Sequence, residues 1–258
     1  MTTVTKLAIV IPARAGSVGI TDKNLQQVDG KELLIRSIEH GKFLSKLLDC
    51  QIIVSSDSQD TLALVRKKFG LSHEISNPYL DFQFYEGLIL HHRPAPLATS
   101  ESLIMETMYA VRTDLKGIKL FFSDWCLLQP TSPFRSKKGM VELAEKISAA
   151  TNQSIISLTP VIGTHPARMY QVLADEAIPL SGYETHYYKK RQDLPPVFVR
   201  DGAYYVMSDQ LVNQKTQYSG NPDCIIQGYP WNINIDEPED LALARLVSRE
   251  MFADDPNS

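Results

Sequence analysis

Four polar constellations in this sequence are equipped for chemistry. The first is Ala13-Arg14-Ala15-Gly16-Ser17-Val18-Gly19, followed at Lys23 and Asn24 by a second cation and an amide. Its two glycines let successive backbone amides turn toward one point, and Arg14 and Lys23 bring full charges to it, which makes an anion-binding concavity suited to polyphosphate. The spacing excludes the two commonest glycine motifs: there is no G-x-x-x-x-G-K-[ST], and the third glycine of G-x-G-x-x-G is missing. The residues also fit an ordinary turn between strand and helix with a stray arginine, and on their own they leave both readings open.

The second constellation is Ser55-Ser56-Asp57, with Arg93-Pro94 further on, and the third is Gln129-Pro130-Thr131-Ser132-Pro133-Phe134-Arg135. Both follow apolar runs of strand length. In open α/β sheets ligands gather at the carboxyl ends of strands, so both should lie near the cradle; helix capping is the alternative for Ser55 to Asp57. The fourth is Asn234-Ile235-Asp236, two oxygen-bearing side chains at period two directly ahead of a helix. A hard divalent cation shared with substrate phosphates needs only one or two such protein ligands. Asp236 with Glu239 equally resembles a capping box, and the two roles are compatible.

The elements that must position these groups alternate between strand and helix. Leu7 to Ile11 is apolar on successive residues, as in a strand buried on both faces of a parallel sheet. Helices are predicted over 31–48, 61–69, 101–112, 136–150 and 237–251, and strands over 51–57, 120–128, 154–159, 202–207, 224–227 and 231–235. This rhythm predicts a mostly parallel α/β sheet flanked by helices. Residues 72–100 read as a mobile or partner-covered loop, with His91 and His92 structural or solvent-facing. Residues 160–200, rich in Pro, Tyr and His, read as an inserted element within one domain spanning 1–258. Its run Lys189-Lys190-Arg191 fits either a solvated face or a reader of carboxylates.

Composition narrows the function classes. The 258 residues carry a formal net charge of −4 with both signs interspersed, which gives no footprint for nucleic acid. No apolar run approaches the ~18 residues of a membrane span. No secretory signal is visible, and three cysteines (Cys50, Cys126, Cys224) lack metal-ligand spacing, so the cytoplasm is the expected compartment.

Taken in order, the four constellations resemble the acylneuraminate cytidylyltransferases, or CMP-sialic acid synthetases. Arg191-Gln192-Asp193-Leu194-Pro195 and Asp201-Gly202-Ala203-Tyr204-Tyr205 also look like segments of that family. The resemblance implies a nucleotide-diphospho-sugar transferase-like, Rossmann-like fold with an inserted dimerisation element. It also implies transfer of CMP from CTP to the anomeric hydroxyl of a nonulosonic acid, with Mg²⁺ as cofactor and a homodimer as the assembly. Carried over residue by residue, Ala13, Arg14, Ser17 and Lys23 face the triphosphate, and Asn24 and Arg93 the cytidine. Gln129, Thr131 and Ser132 face the sugar, joined by Gln192 and Asp201. Arg168 and Arg191 match basic residues of the insertion that reach the partner subunit's site. Asp236 matches a magnesium ligand, with Asn234 beside it, and Arg14, Lys23 and Asp236 form the catalytic set. Val18 stands where a lysine is common in the family, and Asn234 where the first of two metal-associated aspartates is common. The resemblance therefore implies an altered metal requirement or a different acceptor, such as an eight-carbon ketosugar acid or a phosphonate; a non-catalytic CTP-binding homologue is the reading from another class.

Overall fold

The computed structural model describes residues 4–16, 19–71, 82–149, 154–161, 163–180, 182, 189–218 and 220–251. In chain order the strands and helices are β1 (Val4–Pro12), β2 (Gln27–Val28), β3 (Lys31–Glu32), α1 (Leu33–Leu44), β4 (Cys50–Ser56), α2 (Gln59–Lys68), β5 (Phe82–Tyr85) and β6 (Leu88–His92). Then follow α3 (Ile104–Gly117), β7 (Phe121–Leu127), α4 (Lys137–Ala149), β8 (Ser154–Pro160), β9 (Tyr170–Leu173), β10 (Glu176–Pro179), β11 (Phe198–Ser208), α5 (Asp209–Asn213), β12 (Asp223–Ile226) and α6 (Pro238–Met251).

Eight strands form one sheet in the order β12-β8-β11-β7-β1-β4-β6-β5, in which β11 and β5 run antiparallel to their neighbours. The unbroken apolar run of β1 has a simple cause. Leu7, Ile9 and Ile11 point into a core shared with α1, α2 and α4, while Ala8 and Val10 point into a second core shared with α3 and α5. Both faces are covered, so neither face of the strand needs polar residues. A third apolar cluster joins Leu241, Ala244 and Val247 of α6 to Ile20, Val28, Leu33, Phe134, Ile233 and Ile235. It fixes the end of the chain against the loop that follows β1.

Two expectations are corrected. Residues 82–92 are not loop: β5 and β6 form a hairpin on the sheet edge, turning at Glu86-Gly87 with Gly87 at φ 73. The rest of the predicted loop, 72–81, lies outside the described residues. Within the hairpin His91 is buried, stacked on Phe82 at 4.8 Å between ring centres, with its Nδ1 3.0 Å from Ser55 Oγ. The predicted strand over 231–235 is instead a turn and an extended segment. Pro230 and Pro238 bracket it, and Ile233 and Ile235 are spent on the α6 cluster rather than on a sheet face. Within 160–200, β9 and β10 pair only with each other among the described strands. No helix among the described residues is long and apolar enough to cross a membrane.

Candidate active site

Chain direction determines where the cleft lies. From β1 the chain passes through α1 to β4 on one side, whereas β7 enters on the other, so the loops leaving β1 and β7 part and open a crevice at the carboxyl end of the sheet. The loop after β1 is pinned at each step. Ala13 N–H donates to Ser55 O at 2.9 Å, Ser56 Oγ donates to Ala13 O at 2.6 Å, and Ala15 N–H donates to Asp57 Oδ1 at 2.8 Å. Ser58, not the Ser55 to Asp57 triplet, caps α2, its Oγ accepting from Thr61 N–H. The triplet therefore serves the cradle. Gly16 has φ 66, a left-handed backbone that disfavours side chains, and Asn24 Nδ2 donates to Arg14 O at 2.9 Å to close the loop. Gly19 serves close approach: a Cβ there would lie 2.9 Å from the Asp236 carbonyl oxygen. Ser17 and Val18 lie outside the described residues.

Opposite this loop stands the segment ahead of α6. Lys23 Nζ donates to Ile235 O at 3.2 Å, Asp236 O at 3.1 Å and Asp236 Oδ1 at 3.2 Å, while Asn234 Nδ2 donates to Asp236 Oδ2 at 2.6 Å. The capping-box reading of Asp236 is corrected. Asp240 Oδ2, at the third position of α6, accepts from the backbone N–H groups of both Asp236 and Glu237, at 2.9 Å each, which is the reach-back half of a capping box made without the Asp236 side chain. The Asp236 carboxylate stays on the cleft side, with its side chain 65% exposed.

The loop leaving β7 forms the other wall. Ile235 N–H donates to Thr131 O at 2.8 Å, which ties it to the Asn234–Asp236 segment. Arg135, 4% exposed, bolts it from behind: Nε donates to Ala203 O, Nη1 to Ser132 O and Nη2 to Gln129 O. Ser132 Oγ and Asn234 Oδ1 are buried without a hydrogen-bond partner, and both point at Gly202, where a Cβ would meet them at 3.6 and 3.7 Å beside Gln129 Oε1 at 3.6 Å. Asp201 next to it accepts from Ser157 Oγ and Ala203 N–H through Oδ1, and leaves Oδ2 unpartnered. These three buried oxygens lie behind the cleft wall rather than on the lining of the cavity.

Arg93 enters from the end of β6. Its Nε and Nη2 donate to Ser55 Oγ and Ser55 O. Burial draws its pKa down to about 10, an effect opposed by Asp57 and reinforced by Arg14, so the guanidinium keeps its charge at neutral pH. Arg14, Lys23, Asn24, Arg93, Gln129 and Thr131 line a single cavity of about 210 Å³. Leu97, Ser102, Ile104 and Thr107 complete it from the start of α3; sequence reasoning missed them, although the polar run from Thr99 to Ser102 directly after Arg93-Pro94 was a visible signal. Arg135 was missed as a positioning residue. Arg168, Arg191 and Gln192 are exposed in the 160–200 element, away from this cavity; Arg191 borders a separate one of about 200 Å³ with His165 and Pro195.

Comparison with known proteins gives relatives of the same chemistry. A family model described as cytidylyltransferase matches residues 8–78. The CMP-N,N'-diacetyllegionaminic acid synthase of Legionella pneumophila is 28% identical over 242 residues, covering 92% of this chain and 94% of that protein. The N-acylneuraminate cytidylyltransferase of Streptococcus agalactiae is 26% identical over 239 residues, covering 90% of this chain; the chain spans about half, 51%, of that longer relative. A solved structure of CMP:2-keto-3-deoxy-manno-octonic acid synthetase complexed with CTP shares the fold, at a TM-score of 0.57 and 14% identity over 95% of this chain and 100% of that one. With the cradle, the Lys23–Asp236 pair and the Gln129–Arg135 wall at one end of the sheet, the chain is similar to cytidylyltransferases, the N-acylneuraminate cytidylyltransferases among them.

Proposed function

We propose that this protein transfers CMP from CTP to the anomeric hydroxyl of a sialic-acid-like nonulosonic acid and releases pyrophosphate. One observation carries the reading: Arg14, Lys23 and Arg93 on one side and Gln129, Pro130 and Thr131 of the β7 loop on the other line the same cavity. The first wall suits a triphosphate and the second a hydroxyl-rich acceptor.

Attack of the acceptor hydroxyl on the α-phosphorus places charge on phosphoryl oxygens, and fixed cations and backbone amides stabilise it without reorganisation. Arg14 and Lys23 supply the cations, and the amides around Gly16 supply the donors. Arg93 and Asn24 hold the cytidine side. Gln129, Thr131 and Ser132 orient the acceptor, held in place by Arg135. No protein nucleophile is required, because the acceptor hydroxyl attacks directly.

The residues present fit Mg²⁺. Asp236 offers one exposed carboxylate, which suffices for an ion that takes its remaining ligands from phosphates and water, while Asn234 beside it donates to that carboxylate through Nδ2. Bound there, the ion would neutralise phosphate charge. With Asn234 neutral, we expect weak magnesium binding by the chain alone and strong dependence on CTP. A homodimer is also part of the proposal. Tyr170, Val172, Leu173 and Ile178 of the β9–β10 hairpin and Phe198 and Val199 of β11 are 41–70% exposed, apolar surface on both faces of the hairpin of the kind that marks an interface. Across it Arg168 and Arg191 would reach the partner's acceptor. The cytoplasm remains the expected compartment.

Pyrophosphate release from CTP across a panel of acceptor acids tests the reading. Turnover with a nonulosonic acid is expected. Selective turnover with an eight-carbon ketosugar acid or a phosphonate would reassign the acceptor, and CTP binding without turnover on any acid would reject catalysis.

A further inference from the structure

A second cavity, of about 560 Å³, lies between α1 and α4 and shares no lining residue with the cleft. Its walls carry six cations, Lys31, Arg36, Lys42, Lys46, Lys137 and Arg135, against the single carboxylate of Glu39. Glu39 is already held by Lys31 Nζ at 2.7 Å. Arg135 is the telling member. Among the described residues its partners are three carbonyl oxygens, the Ser37 hydroxyl and His40 Nδ1, with no carboxylate, and only one of the two Nη2 hydrogens has an acceptor. Hydrogen bonds to carbonyls satisfy donors but bring no counter-charge, and Asp201, which acts on Arg135 through space, does not offset the cost of burial: the pKa is drawn down to about 10. The neighbouring lysines add to that charge instead of offsetting it. The surroundings report the same field: after burial itself, the charges of Arg135, Arg36 and Lys31 hold the His40 imidazole well below its usual pKa.

We propose that the cavity between α1 and α4 is a second anion site that takes a compact, multiply charged phosphate, with buried Arg135 at its floor and lysines at its rim. Its volume accommodates several phosphate groups, and planar guanidinium with mobile ammonium groups is the donor set that recognises them. The inference goes beyond the transferase reading. Pyrophosphate and the triphosphate of a nucleotide share the required chemistry.

Isothermal titration of the metal-free protein with inorganic pyrophosphate at about 0.15 M salt, where diffuse surface attraction is screened, reads the site directly. Two binding sites are expected for the wild type. The double variant Lys46→Glu/Lys137→Glu, altered only at exposed rim positions, should weaken one of them at least tenfold, and Lys23→Met should remove the other. Melting curves verify folding, and Lys46→Gln/Lys137→Gln replaces the double variant if charge reversal unfolds it. A single site insensitive to Lys23→Met but lost in the double variant also supports the cavity, while counting against the cleft as a phosphate site. A single site lost with Lys23→Met, or two sites unchanged by the rim substitutions, overturns the proposal. Repeating the titration with CTP assigns the source: two CTP sites point to a nucleotide, and one CTP site beside two pyrophosphate sites points to free phosphate.

Discussion

Gly19 and Asp236 meet so closely that one added methyl group separates them. A Cβ at Gly19 would sit 2.9 Å from a backbone oxygen, which has no flexible end to swing away. Gly19→Ala is therefore expected to displace the cradle from the Lys23–Asp236 pair at a local cost of ~1–3 kcal/mol. Steady-state kinetics should show kcat/KM for CTP falling about 10- to 100-fold, with the melting temperature lowered by only several degrees, so that the protein stays folded under assay. Gly16→Val tests the turn itself: no described residue stands within 4 Å, φ 66 strains a side chain there, and loss of CTP affinity in a folded protein is the expected result. Unchanged affinity would remove the cradle. Asn234→Asp restores a second carboxylate beside Asp236 and should lower the magnesium concentration needed for half-maximal turnover, about tenfold, with more carboxylate charge in the ligand set; an unaltered requirement would take both residues off the ligand set. At this scale part was legible: Arg14, Lys23 and Gln129, each singled out in the sequence, line one cavity, and Asp236 pairs with Lys23 beside it. The cap was not legible, because Asp236, Glu239 and Asp240 all suit a helix start and only geometry shows that Asp240 is used.

Helices and central strands were readable because burial on one stripe or on both faces writes a period into the sequence. The β5–β6 hairpin was missed although Glu86-Gly87 between two apolar runs announces a two-residue turn, because the prolines around it suggested loop. The run 231–235 failed for the opposite reason, its apolar residues serving a helix contact rather than a sheet. One lock between elements carries a pH signature. Asp209 at the start of α5 accepts from Arg112 at 2.6 and 2.8 Å, from Lys116 at 2.9 Å and from Trp125 Nε1 at 3.2 Å, joining α3, α5 and β7. Burial by itself would raise the Asp209 carboxyl, but the hydrogen bonds and charges of Arg112 and Lys116 outweigh it and leave the pKa lowered. A lowered folded-state pKa contributes stability that is full above the unfolded value near 4 and is lost as pH falls through the folded value. Asp209→Ala should cost roughly 2–3 kcal/mol at neutral pH and flatten the loss of stability in acid, as read by urea unfolding at pH 7 and pH 3. An equal slope in variant and wild type would show that Asp209 does not titrate with folding.

The whole molecule reads as a covered sheet with an apolar arm left uncovered. If the protein is a dimer, Tyr170→Asp/Val172→Asp is expected to convert it to a monomer in sedimentation and to weaken use of the acceptor, because Arg168 and Arg191 do not line their own chain's cleft. A monomeric wild type at tens of micromolar would dismiss the arm as an interface. Here the sequence was least informative: periodicity describes how a chain covers itself, and the residues that serve a second copy carry no period of their own. The central claim is that the crevice between the β1 and β7 loops joins CTP to an acidic nine-carbon sugar. Phosphorus NMR of the wild-type protein with CTP, Mg²⁺ and a nonulosonic acid tests it most directly. The account predicts one phosphodiester and one pyrophosphate appearing for each CTP consumed, and its loss in Lys23→Met; CTP persisting unchanged beside folded wild-type protein and a panel of such acids would contradict it.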